Sequence, residues 1–376
     1  MRLKNCAPFG ALLIVVACGT GAGAGTRTPK SGDAIVLDHP EATLATTFPQ
    51  VSNVIELRDG RVALADLKDR VFVFADFATG KVTTVGEHVD TIVPGDPAPG
   101  RHKFPGQVLR LPGDTVALVD FASERTSLWN EQGKFLSIIP LQPVAGGNQP
   151  LMYDSLGRAY KEDFRSVMGG LEPGAKIKMD SLPVLRFPRS ASTADTIAEL
   201  KLPSLGEGHF GEQTKMVATI FGARDAFGVL PDGWVWVARA TDNRVDWRSP
   251  DGTWQVGTAR PFEKIPVIQA DKDRFMDIAH QNGLQRGVAV SFPFATIKPP
   301  FSSAVTRAPD QVWLLRSRQS GDSTPVYDVV SRDGANHPPV QLPKGGALAG
   351  FGKDGAVYVL QRGTDQRQSL GRYRIK

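Results

Sequence analysis

Apolar and polar residues alternate along most of the chain, most clearly in the stretch Val54–Gly86. This stretch predicts four short strands, with tight turns at Asp59-Gly60 and Thr79–Lys81 and a polar connection at Asp66–Arg70. The apolar positions recur every second residue and are mostly filled by β-branched side chains, which excludes a helix. Four strands joined by hairpins within about forty residues are typical of one sheet of a β-propeller.

The first turn of this unit recurs five times, and a strand follows it each time. The later copies are Pro112–Asp114, Ser155–Gly157, Pro231–Gly233, Ala308–Asp310 and Lys353–Gly355. A second turn follows most of them, at Gly80, Gly133, Gly252 and Gly334. The last copy lacks a fourth strand, while Asp33–Asp38 (DAIVLD) reads as a strand that precedes the first copy. An unpaired edge would leave backbone groups open. The sequence therefore predicts an all-β fold over residues 33–376, a six-bladed β-propeller closed by pairing of Asp33–Asp38 with the C-terminal blade.

One segment departs from the strand pattern, between the fourth and fifth turns. An insertion spanning residues 260–300 contains Ala270–Gln281, which places Phe275 and Ile278 on one face and acidic residues near its start. Gly283 follows as a stop signal. We expect one helix here, which packs on the propeller.

The first eighteen residues predict export. Arg2 and Lys4 precede an apolar run that is far shorter than the roughly 20 residues of a membrane-spanning helix. Small and branched residues directly before Cys18 resemble the bacterial lipoprotein signal, which implies a lipidated Cys18 and a protein anchored in the periplasm or outer membrane. An ordinary secretory signal cut near residues 17–24 is the alternative. Residues 19–32 then form a flexible tether.

Charge and cysteine content exclude several function classes. The formal charge of +5 is spread over 376 residues without a dense basic run, so no nucleic-acid partner is predicted. The only cysteines are Cys6 and Cys18. The mature fold therefore has no disulfide, and we expect its stability to come from core burial.

Two resemblances support the repeat. Asp66–Val71, Asp120–Thr126 and Ala240–Val245 each end a strand, cross a polar loop and restart at an arginine. They resemble the repeat of β-propellers of the NHL and TolB-like kind. Turn formation and surface ion pairs are the favoured role of these residues, ahead of ligand binding. Residues 231–252, Ile265–Val267 and the ending Tyr373–Ile375 resemble a group of exported bacterial six-bladed propellers without settled activity, which implies fold and location and no residue role.

The chain contains few catalytic signatures. Gly206–Gly211 fits G-x-G-x-x-G but lacks the following helix that a dinucleotide site needs, so we interpret it as a loop. The six histidines show no metal-ligand spacing, and Glu207, His209 and Glu212 are expected to be solvated. Propellers of the gluconolactonase kind hold a divalent cation with carboxylate and amide ligands from separate blades. Asn53, Asp154 and Asp225 are the candidates to test for that role, with calcium as the ion.

Two hypotheses of function follow. The first is a non-enzymatic, lipid-anchored envelope propeller that binds a small-molecule ligand or an envelope protein on the channel face, where loops converge. The alternative is a divalent-metal-dependent hydrolase or lactonase with its site at the central channel. Three or more carboxylate or amide groups that converge on one point would favour the enzyme. We assign no catalytic residue and no cofactor from the sequence.

Overall fold

The computed structural model describes residues 34–92, 98–123, 125–140, 152–163, 180–188, 193–282, 284, 289–335 and 337–375. The predicted signal segment, its lipidation site Cys18, the tether of residues 19–32 and the helix stop Gly283 lie outside the described residues. Among the helices of the described part, none is long and apolar enough to cross a membrane.

The described chain is nearly all-β, with one helix and many small antiparallel sheets. It begins with β1 (Ile35–Val36) and β2 (Ala42–Thr43). The first sheet contains β3 (Val51–Glu56), β4 (Val62–Asp66), β5 (Val71–Ala75) and β6 (Val82–Thr84). A parallel pair follows, β7 (Glu87–His88) and β8 (Arg101–His102). The second sheet contains β9 (Pro105–Leu111), β10 (Thr115–Asp120), β11 (Arg125–Asn130) and β12 (Phe135–Pro140).

The chain continues in the same order through its second half. The third sheet contains β13 (Met152–Tyr153), β14 (Ala159–Glu162), β15 (Ser181–Phe187) and β16 (Asp195–Lys201). A hairpin of β17 (Leu205–Phe210) and β18 (Gln213–Ala218) precedes the fourth sheet, β19 (Ala226–Val229), β20 (Val235–Arg239), β21 (Arg244–Arg248) and β22 (Trp254–Gln255). Next come α1 (Gln269–Gln281) and β23 (Val290–Ser291). The fifth sheet contains β24 (Phe301–Arg307), β25 (Gln311–Arg316), β26 (Val326–Ser331) and β27 (Val340–Gln341). The sixth contains β28 (Ala347–Phe351), β29 (Ala356–Arg362) and β30 (Gln368–Arg374).

Alternate residues of the second strand in a sheet pack on opposite neighbouring sheets. In β4, Val62 and Leu64 join an apolar cluster with Tyr358 of the sixth sheet, whereas Ala63 and Ala65 join a cluster with the second sheet. Both faces of the strand are therefore covered, which explains why its sequence is continuously apolar. The same division occurs in β20 and β29. Such clusters join the first sheet to the second, the third to the fourth, the fourth to the fifth, the fifth to the sixth and the sixth to the first.

The N-terminal segment supplies outer strands to two sheets. Strand β2 pairs antiparallel with β30, with Ala42 opposite Arg372, and fills the open edge of the sixth sheet. Strand β1 pairs parallel with β27 of the fifth sheet instead. The expectation that Asp33–Asp38 pairs with the C-terminal blade is therefore wrong. The physical reason is that this register buries Leu37 in the apolar cluster between the fifth and sixth sheets. Leu44, which follows β2, is buried in the cluster between the sixth and first sheets.

The two ends of the strands carry connections of very different length. Because consecutive strands of each sheet run antiparallel, the first-to-second and third-to-fourth turns share one end, which we call the short-turn face. The predicted glycine turns lie there, and Gly60 and Gly233 have φ of +88° and +84°. The other connections of the described residues lie at the opposite end, which we call the long-loop face. They include residues 85–92, 98–104, 202–225, 256–282 and 289–300.

The two long insertions of the second half pair with each other on the long-loop face. Strand β17 pairs with both β18 and β23, and Phe275 of α1 packs edge-on against Phe292 and Phe294. The helix begins one residue earlier than predicted. Gly206–Gly211 was expected to be a loop, and that expectation is wrong, since residues up to Phe210 form β17. A Cβ at Gly206 would come within 2.6 Å of Pro293, so close packing against this proline explains the glycine.

Candidate functional site

Asn53 joins β3 and β9, the first strands of the first and second sheets. Its Nδ2 donates to the Val108 carbonyl at 2.7 Å, and its Oδ1 accepts from the Val108 amide at 3.0 Å. The side-chain amide of Asn53 thus pairs with both backbone groups of Val108, as a neighbouring strand would, across the boundary between two sheets. Both of its polar atoms are already engaged in this contact.

Asp154 closes the first turn of the third sheet, on the short-turn face. Its carboxylate accepts from the amides of Leu156 and Arg158 at 2.9 and 3.0 Å, and from Arg158 Nε at 2.5 Å. The Tyr160 hydroxyl also donates to it, at 2.8 Å. Burial of this phenol, together with its bond to the carboxylate, raises the pKa of Tyr160. The side chain of Asp154 is fully buried and satisfied by protein donors.

Asp225 lies at the start of the fourth sheet, on the long-loop face. It accepts from the amides of Lys201 and Ala240 and from Arg239 Nη1, at 2.9–3.0 Å. Burial opposes the charge of Arg239, but its bonds to Asp225 and Asp246 raise the pKa of the guanidinium. Asp225 therefore anchors a buried ion-pair network between two sheets.

The three candidate ligands do not come together. Asp154 and Asp225 lie on opposite faces, and each has its oxygens occupied by nitrogen or hydroxyl donors. In the described ranges there is no group of three or more His, Cys, Asp or Glu side chains placed to hold a metal ion. Glu207 and His209 are both exposed on β17, and Nδ1 of the His209 ring lies 3.0 Å from the Thr214 hydroxyl.

The acidic residues that end the second strands form turns, as predicted. Asp66 accepts from the amides of Lys68 and Asp69, and Asp120 accepts from four amides, those of Lys103, Phe104, Ala122 and Ser123. Burial opposes ionisation of Asp120, but these bonds hold its pKa below the usual range. In the fourth sheet Ala240 takes the corresponding position, and Asp225 supplies the carboxylate from the neighbouring strand.

A polar cleft of about 410 Å³ opens on the long-loop face, where the first and sixth sheets meet. Its lining consists of Pro49, Gln50, Lys68, Asp69, Arg362, Asp365, Gln366 and Arg367. The wall is rigid on one side, because Arg367 donates to the Thr47 hydroxyl at 2.9 Å and to the Thr47 carbonyl at 2.6 Å. In contrast, the Lys68 ammonium and the Asp69 carboxylate have no partner among the described residues. The cleft thus offers one free charge of each sign.

No sequence signal indicates this cleft. Its residues come from positions 49–69 and 362–367, and only the pairing of the two chain ends brings these segments together. A second association that spacing does not indicate is that of His88 and His102. They lie directly opposite each other in the parallel β7–β8 pair, with ring centroids 6.4 Å apart.

No protein-family model and no curated protein sequence matches the chain. Among solved structures, it is similar to a putative exported protein from Bacteroides fragilis, at 12% identity and a TM-score of 0.47, over 93% of this chain and 98% of that one. Regucalcin from Agrobacterium tumefaciens, a calcium-binding protein, gives 10% identity and a TM-score of 0.44, over 91% and 97% of the two chains. A gluconolactonase from Xanthomonas campestris gives 10% identity and a TM-score of 0.41, over 93% and 100%. TM-scores below 0.5 carry no inference to the fold or activity of this chain.

Proposed function

We propose that the chain is a six-bladed β-propeller, a ring in which β2 completes the last blade. Sequential apolar clusters between the sheets support the ring, as does the contact of the sixth sheet with the first. Tyr358 of β29 donates to the Glu56 carboxylate at 2.5 Å across that boundary. The resemblance of its repeats to those of NHL and TolB-like propellers is in line with this architecture.

The proposed function is that of a non-enzymatic binding protein of the bacterial cell envelope, tethered through a lipid on Cys18. Export and lipidation rest on the residues around Cys18, since that segment lies outside the described residues. The binding site would be the cleft on the long-loop face. Loops on a rigid scaffold are where binding sites concentrate.

The observation that carries the proposal is the pair of free charges in the cleft. Lys68 and Arg362 are placed to contact an anionic group, and the Asp69 carboxylate to contact an ammonium. A small zwitterion, such as an amino acid or a short peptide, matches both. The metal-dependent hydrolase has less support, because the oxygens of Asp154 and Asp225 already accept from protein donors.

Calorimetric titration tests the ligand class. The full chain is titrated with L-amino acids, with dipeptides and, separately, with inorganic phosphate. We expect at least one zwitterionic probe to bind, and Lys68→Ala and Asp69→Ala each to weaken it tenfold or more. Lys81→Ala, which removes an exposed lysine from the short-turn face, serves as the matched control. Binding of phosphate alone, or equal effects of Lys68→Ala and Lys81→Ala, would contradict the proposal.

Two further measurements address the rest of the proposal. Cys18→Ala is expected to move the protein from the membrane fraction to the soluble fraction, and unchanged fractionation would rule out lipidation at Cys18. Added calcium is expected to leave the melting temperature unchanged. A calcium-dependent rise that Asp154→Asn or Asp225→Asn abolishes would favour the metal-dependent enzyme instead.

A further inference from the structure

Two histidines face the same side of a short parallel ladder between the first and second sheets. His88 and His102 are register partners in β7 and β8, and their rings lie 6.4 Å apart at an interplanar angle of 55°. Directly paired residues project from the same face of a sheet, so the two rings share one environment. This ladder lies on the long-loop face, in the connection that leads into the second sheet.

Three of the four ring nitrogens of this pair are buried without a hydrogen-bond partner among the described residues. His102 is 1% exposed, and neither its Nδ1 nor its Nε2 has a hydrogen-bond partner among the described residues. The buried Nε2 of His88 also has none there. Each unpaired buried polar atom costs free energy, and a bound water or ion is one way in which native proteins satisfy such atoms.

We propose that His88 and His102 form a two-coordinate site for a monovalent copper ion. Imidazole nitrogen is a suitable ligand for copper. Asp120, which accepts from the amide of Lys103 next to His102, has its oxygens occupied by backbone amides, so it adds no third ligand. Zinc in a structural site takes four ligands, which the described residues do not supply here. A low-coordinate monovalent ion therefore fits the pair best, independently of the cleft.

A competition assay tests this site. The full chain carrying Cys6→Ser and Cys18→Ser, so that no thiol competes, is titrated with copper kept monovalent by ascorbate against a chromophoric chelator. We expect one ion per chain and a loss of at least tenfold in affinity for His88→Gln and for His102→Gln. His209→Gln is the matched control, because His209 is an exposed histidine on β17, outside the β7–β8 pair. A substitution of the deeply buried His102 can also perturb folding. The variant of the half-buried His88 therefore decides the test.

X-ray absorption provides a second readout that does not depend on affinity. Two nitrogen neighbours around the copper are expected in the parent, and fewer in His88→Gln. Absence of copper binding, equal affinity in the parent and His88→Gln, or zinc binding as tight as copper binding would each overturn the proposal.

Discussion

Lys298 and Asp271 form a buried ion pair that fastens the helix to the fifth sheet. Lys298 Nζ lies 2.6 Å from Asp271 Oδ1, and the two side chains are 9% and 7% exposed. The ammonium also donates to the Arg318 carbonyl at 2.7 Å, and the other carboxylate oxygen accepts from the Ile268 amide at 3.1 Å. The pair therefore joins the first turn of α1 to the segments that flank β24 and β25.

Removing one partner of this pair is expected to be costly. Lys298→Met leaves the Asp271 carboxylate buried without its cation, which we expect to lower the free energy of unfolding by about 3–5 kcal/mol. Lys264→Met, at an exposed lysine of the same insertion, is the control and should stay within about 0.5 kcal/mol of the parent. Urea denaturation measures both. Similar unfolding free energies for the two variants would mean that the Lys298–Asp271 pair does not stabilise the packing of α1.

Substitutions of Asn53 test whether its side chain joins two sheets or binds a metal ion. Asn53→Ala leaves the amide and the carbonyl of Val108 without their partner, and we expect a loss of about 1–3 kcal/mol of unfolding free energy. Asn53→Asp should also destabilise, because a carboxylate oxygen would then face the Val108 carbonyl. Ser52→Ala, which removes only contacts of 3.3–3.4 Å, is the neighbouring control. If added calcium restores the unfolding free energy of Asn53→Asp, the purely structural role of Asn53 is contradicted.

The strand pattern was predictable because each unit is local. The strands and turns of Val54–Gly86 need only the alternation of apolar residues and the tight corner at Gly60, both visible within one stretch of sequence. The helix was predictable for a similar reason, since Phe275 and Ile278 lie on one face. These features depend on neighbours along the chain and on backbone preference.

Long-range associations were not predictable in the same way. Whether residues 33–38 or residues 42–43 join the last sheet depends on which apolar pocket accepts Leu37 and which accepts Leu44. The pairing of Gly206–Phe210 with β23 depends on Val290, 80 residues away. The cleft and the histidine pair arise from such pairings too, and a single sequence contains no periodic signal for them.

The two N-terminal strands are expected to contribute unequally to stability. A chain that lacks residues up to 37 loses β1 and Leu37. A chain that lacks residues up to 44 also loses Leu44 and the bonds from the amides of Glu41 and Leu44 to β30. We expect the second truncation to cost about 3–5 kcal/mol more, from the burial of one leucine and two or three backbone hydrogen bonds. Thermal and urea denaturation measure the stabilities of the two truncated chains. Equal stabilities would contradict closure of the sixth sheet by β2.

The tyrosines are expected to report on the fold at alkaline pH. The chain has five, and burial is the first cause of a raised pKa in all of them, namely Tyr153, Tyr160, Tyr327, Tyr358 and Tyr373. For Tyr327, which packs on Trp313, burial raises the pKa to about 12. In the unfolded chain each phenol titrates near its ordinary value of about 10.

The sign of the pH dependence follows from these shifts. Between about pH 10 and 12 the unfolded chain releases phenolic protons that the folded chain retains, so stability is full below about pH 10 and falls as the pH rises. Phenolate absorbance in the native protein should therefore stay low near pH 10 and rise together with the loss of far-ultraviolet circular dichroism. Tyr327→Phe keeps the ring and should show a shallower loss of stability across this range. Titration of one or more phenols near pH 10 while the circular dichroism stays native would show that those tyrosines are not buried as described.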